Sequence, residues 1–234
     1  DFRLAVNIFF LIFFVTIIGL RYEVGGDWDH YIYLYNTWEG YGFNPFKLIG
    51  SDYLYVQLNI FARENNLGIG FVNLCCALVL VVGVLVFCNQ QKDFFLALLI
   101  AVPYVLIVVG MGYTRQSAAL GFSLLAISVL TRGRFFLFLA FIYLGMLFHK
   151  SCLILLPFAV LAMQGTGNFR LILGFAFAFI AMVAISLESI LGVIDHYLKP
   201  GDMKSSGALI RILLSSLPAL LVLRYSDRLF HDNK

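Results

Sequence analysis

Long apolar blocks separated by short polar breaks set the pattern of this chain. Blocks at 4–20, 68–88, 94–110, 115–131, 135–148, 152–163, 169–187 and 208–223 each predict a membrane-spanning helix. About 20 apolar residues are needed to cross a hydrocarbon layer of ~30 Å. The blocks show no period-two alternation, which favours helices over a transmembrane barrel. Two are short. Residues 135–148 and 152–163 flank "HKS" at His149–Ser151 and would each cover only about 18–21 Å. In one arrangement each helix stops below the membrane surface and His149 lies at the bottom of a cavity. In the other, 135–163 is a single tilted helix with Lys150 near the midplane, at a cost of about 2.5–3.5 kcal/mol unless it is paired. The first is preferred.

The longest polar break, 21–67, carries its own helical pattern. In "SDYLYVQLNIFARENN", Leu54, Leu58 and Phe61 recur at helical spacing and Asp52 stands at a cap position. This predicts a short helix lying in the membrane interface, as a lid or spacer. "YGFNPF" before it reads as a turn at Asn44-Pro45. The expected fold is therefore all-α: a polytopic transmembrane helix bundle of about eight spans, forming a single integral membrane domain over 1–234. The chain starts at Asp1 rather than Met, which is consistent with a fragment of a longer protein with spans missing at either end.

Composition sharpens the class. Of 234 residues, 62% are hydrophobic and 12% charged, with a mean hydropathy of +0.93. A soluble domain carries about 25% charged residues, so lipid must serve as solvent here. A net charge of +3 leaves no nucleic-acid footprint. Three of the four cysteines, Cys75, Cys76 and Cys88, share one apolar block and show no metal-ligand spacing. Basic residues fix orientation. With the start inside, the inner segments carry Arg3, Lys92, Arg132, Arg134 and Arg170, and the acidic loop 21–67 faces outward.

That topology brings four separated polar sites to the outer face: the Arg21–Tyr31 segment, "GYTRQS" with Arg115 and Gln116, "FHKS" with His149, and the 188–206 loop leading into Arg211. Arg211 lies about one turn inside an apolar span, where an arginine either snorkels to headgroups or faces a cavity or an anion. Arg115 and Arg21 could each be an ordinary interfacial anchor. Three arginines on one face suit a diphosphate, because the guanidinium fork binds phosphate bidentately. Gly25 and Gly26 permit positive φ. They would swing Asp27 back toward Arg21, as its ion-pair partner or to bind a sugar hydroxyl. Trp28, Tyr31, Tyr33, Tyr35 and Trp38 form an aromatic belt whose faces also suit sugar rings. His149 is a candidate general base. Nothing in the sequence has the spacing of a metal or cofactor site.

The pattern Arg21, Gly25, Asp27, Tyr31, then "TRQSAAL" at Arg115 and Gln116, then "FHKSCLILLP" at His149, Ser151 and Pro157, resembles the EpsG family of exopolysaccharide and O-antigen polymerases (Wzy-like). The ordered set spans most of the chain. The resemblance implies a multi-pass glycosyltransferase of the bacterial inner membrane. It would join polyprenyl-diphosphate-linked oligosaccharide repeats on the periplasmic face, without a metal or cofactor. Arg21, Arg115 and Arg211 would bind the diphosphate. His149 or Asp27 would be the base or orient the acceptor, and Gln116, Tyr31, Trp28 and Ser151 would contact substrate. Expected partners are the lipid-linked oligosaccharide and membrane lipids, with room for a chain-length regulator and none for nucleic acid. A flippase of a lipid-linked saccharide, a membrane acyltransferase and a glycan ligase are the competing classes. They separate by product: polymer ladder, unpolymerised repeat, or acylated sugar.

Overall fold

A computed structural model of the chain describes residues 2–37 and 52–156, together with the isolated positions Ala176 and Arg224. Among the described residues the secondary structure is all helical. In chain order the elements are α1 (Phe2–Gly19), α2 (Trp28–Thr37), α3 (Tyr53–Glu64), α4 (Gly68–Cys88) and α5 (Phe94–Ala101). A π-helical stretch (Val102–Val109) then leads to α6 (Gly110–Gly112), α7 (Thr114–Leu130), α8 (Phe135–Met146) and a 3-10 helix (Lys150–Leu155).

Three of these helical runs are long and apolar enough to cross a membrane: Phe2–Gly19, Gly68–Cys88 and the continuous Phe94–Gly112. The protein is accordingly a helical membrane protein. Helices α7 and α8 are shorter, with 17 and 12 residues, and cover about 26 and 18 Å. The expected spans 169–187 and 208–223 lie outside the described residues. Of 152–163, only the part up to Leu156 is described, and up to Leu155 it forms the 3-10 helix. Pro103 opens the π stretch. Proline offers no N–H to the preceding turn, and a widened turn lets the span continue past it.

Helix α4 is the hub, packed against α1 on one side and α7 on the other, with α8 beyond α7. The core between them is built from Phe14, Ile18, Leu80, Val84, Leu98 and Leu106. Helix α7 buries small residues, Ser117, Ala118, Gly121 and Ser128 among them, so backbones can approach closely, as membrane helix pairs require. Gly83 and Gly121 mark the closest approach. A Cβ on Gly83 would overlap the Gly121 carbonyl, and one on Gly121 would overlap the backbone at Val79–Leu80.

Polar ties close one end of the bundle. Arg3 Nε donates to Asn89 Oδ1 at 3.0 Å, Asn89 Nδ2 to Asn7 Oδ1 at 2.7 Å, and Thr131 Oγ1 to Gln90 Oε1 at 3.2 Å. These join the start of α1 to the ends of α4 and α7. The opposite end carries Arg21, Arg115 and His149.

Two expectations about α3 change. Helix α3 forms, but its buried face is Tyr55, Val56, Asn59 and Ile60, not the Leu54–Leu58–Phe61 stripe. Phe61 is exposed, and the helix packs onto α4 and α2. Asp52 makes no capping bond to α3, because its carboxylate is held elsewhere. The chain also breaks after α8. His149 is extended at φ −165° and ψ 133°, so no single helix runs through 135–163. The break rules out the single tilted helix, the arrangement that was not preferred.

Candidate functional site

The end of α1 supplies the first arginine. Arg21 follows the helix by two residues and folds back into the bundle, where only 7% of it is exposed. Its Nη1 donates to Ile18 O at 3.1 Å and to Gly110 O at 2.9 Å, and its Nη2 donates to Thr114 Oγ1. Thr114 Oγ1 in turn donates to Asn73 Oδ1 at 3.4 Å. One guanidinium thus ties α1 to α6 and α7 and, through Thr114, to α4. Its Nε and the Asn73 Nδ2 have no hydrogen-bond partner among the described residues. Arg21 is therefore a buried cation met by neutral acceptors, and Asp27 is not its partner. The expected Arg21–Asp27 pair fails because the three acceptors already surround the guanidinium while Asp27 starts the turn into α2.

Only one of the two glycines does special conformational work. Gly25 has φ +104°, and a Cβ there would come within 2.7 Å of Met111 O. Gly26 has open space around it. The loop after α1 is therefore pressed against the α6–α7 corner at Gly25.

Arg115, in the first turn of α7, builds the second part. Its Nη1 lies 2.6 Å from Asp52 Oδ2, and its side chain stays 28% exposed. The guanidinium carbon sits 5.8 Å from the Tyr31 ring centroid and 6.0 Å from that of Tyr55. The two rings meet edge to face at 5.9 Å. Cation–π attraction is felt within about 6 Å, so the two tyrosines form a floor that orients the fork. Both hydroxyls are pushed up in pKa by burial and stay protonated, hence able to donate.

His149 completes the group. Its Nδ1 stands 3.5 Å from Asp52 Oδ1. That is beyond ordinary hydrogen-bond range, and Nδ1 has no closer partner. A backbone bond from Leu54 N to Leu147 O, 2.8 Å long, fixes the start of α3 against the end of α8 and sets this spacing. Asp52 thus presents one oxygen to Arg115 and the other to His149.

Burial alone would raise the Asp52 pKa, but the neighbouring imidazole and the Arg115 guanidinium outweigh it and leave it below the usual carboxylate value. A carboxyl depressed in the folded state stabilises the fold above its unfolded pKa of about 3.9, and that contribution is lost as pH falls through the lower folded value. Melting of wild type and Asp52→Asn in detergent should therefore differ most at neutral pH, with the gap closing below about pH 4.

The remaining expected residues spread around this centre. Tyr31 is in it. Trp28, half-buried as the first residue of α2, meets the exposed Tyr22 edge to face at 5.7 Å. Asp27 is half-buried at the start of α2. Gln116 and Ser151 line a groove of about 320 Å³ with Leu120, Leu124, Ile127 and Ile154. Trp38, Arg211 and the 188–206 loop lie outside the described residues. Asp52, Tyr55, Thr114 and Asn73 were not expected. Asn73, a lone amide inside the apolar stretch "GFVNLCCALV", was a readable signal, since a polar side chain within a span seeks a partner.

The profile of the EpsG family matches residues 4–234. No curated protein and no solved structure matches the chain.

Proposed function

Because this chain belongs to the EpsG family, we propose that it is a polysaccharide polymerase, joining lipid-linked oligosaccharide repeats at the periplasmic face of a bacterial inner membrane. The observation that supports this most is the group Arg115–Asp52–His149 above the Tyr31–Tyr55 floor.

In the reaction, a hydroxyl of the acceptor repeat attacks the anomeric carbon of the growing chain. A glycosidic C–O bond forms, the bond to the diphosphate breaks, and polyprenyl diphosphate leaves with the electron pair. Charge grows on the diphosphate oxygens, and a fixed guanidinium aimed there stabilises the transition state. Arg115 fits that role, being partly exposed and held in one orientation. Arg21 lies buried, with no carboxylate against its guanidinium among the described residues, and adds to the attraction for an anion. Arg211, which lies outside the described residues, is proposed as a third contact from its place in the sequence alone. His149 accepts the proton of the attacking hydroxyl through Nε2, since Nδ1 faces Asp52; Asp27 is the alternative base. Trp28 and Tyr31 contact sugar, while Gln116 and Ser151 contact the substrate along the groove.

The full chain reconstituted in liposomes with the lipid-linked repeat should yield a polymer ladder and release polyprenyl diphosphate. Movement of the repeat across the bilayer without polymer would instead make it a flippase.

A further inference from the structure

Asp52 sits at a helix start, where its local preference is to cap α3, a bond usually worth about as much as any single hydrogen bond there. It forgoes that bond and reaches Arg115, 63 positions away, at 2.6 Å. Its side chain is only 13% exposed, between two groups that are each about twice as exposed, at 28% and 30%. A carboxylate oxygen on a guanidinium fork has the charge and geometry of a phosphate oxygen there. The second oxygen of Asp52 is already directed at His149 but remains 3.5 Å away.

We propose that Asp52 is a carboxylate latch, a positioning residue that competes with the diphosphate for Arg115 and, when displaced, closes onto His149 Nδ1. The proposal rests on the diphosphate reading of Arg115 above. Displacement couples two events. The fork is handed to the phosphate, and the freed carboxylate shortens its contact with the imidazole, fixing the Nδ1–H tautomer and leaving Nε2 as the proton acceptor. No bond is made or broken by Asp52 itself. Asp52 faces Arg115 and His149, and the Tyr31 and Tyr55 rings lie against Arg115, so the exchange stays within the site. A structural tie and a latch predict opposite signs for binding, because removing a competitor strengthens binding and removing a support weakens it.

The test uses the full chain in lipid nanodiscs with farnesyl diphosphate as the probe. Asp52→Asn should bind the probe about tenfold more tightly than wild type, by removal of an internal competing charge. In the same preparation it should lose about a hundredfold in kcat for polymer formation without a rise in KM, and Asp52→Glu should recover part of that kcat. In an Arg115→Ala background, Asp52→Asn should bring no tightening. Weaker or unchanged binding by Asp52→Asn, with Arg115→Ala still abolishing binding, would overturn the latch and leave the arginine site standing. Unchanged binding by Arg115→Ala would instead remove the diphosphate reading itself. If Asp52→Asn does not fold, Asp52→Ser gives the same comparison, with tightening in support and weakening against.

Discussion

Cells carrying Arg115→Ala should make single-repeat material and no polymer ladder, at an unchanged level of membrane protein. Removing one preorganised donor to a developing anion costs about 10²–10³ in rate. Alanine also deletes the planar fork and its place over the Tyr31 and Tyr55 rings. Lysine would restore the charge without the planar fork, so Arg115→Lys should recover short chains only. Size analysis of the surface polysaccharide beside an immunoblot of the membrane fraction checks both variants. Chains of normal length from Arg115→Ala at normal protein level would take Arg115 out of the reaction.

The largest effect on the fold should come from Gly121→Val. Its side chain would enter the backbone of α4 at Val79–Leu80, where even a Cβ has no room. Overpacking against movable side chains costs roughly 1–3 kcal/mol, and here the obstacle is main chain, so α4 and α7 must separate. Separation would draw Thr114 away from Asn73 and carry Arg115 from the tyrosine floor, so site and fold fail together. Gly70→Ala is the control, since nothing lies within 4 Å of the added carbon. Thermal unfolding in detergent should show a large loss for Gly121→Val and little change for Gly70→Ala. Equal melting temperatures would show that the α4–α7 approach is not held tightly.

Hydropathy along the chain was enough to identify a helical membrane protein and, among the described residues, to place three of its expected spans. The block 68–88 became α4 with the same limits, because the length of an apolar run and the thickness of a bilayer leave little freedom. It also determined that Arg21, Arg115 and His149 share one end, since successive spans alternate in direction. Tertiary structure decided the rest. Apart from Arg3 and Asn7 near the start of α1 and Asn73 in α4, these two helices are apolar on every side, so periodicity does not tell the face toward lipid from the face toward protein, and only packing shows that α4 is the hub. Local rules gave Asp52 a cap and Arg21 a partner in Asp27. Both were overruled by groups far off in sequence, because a buried charge takes whichever acceptor or counter-charge the folded chain brings within hydrogen-bond reach.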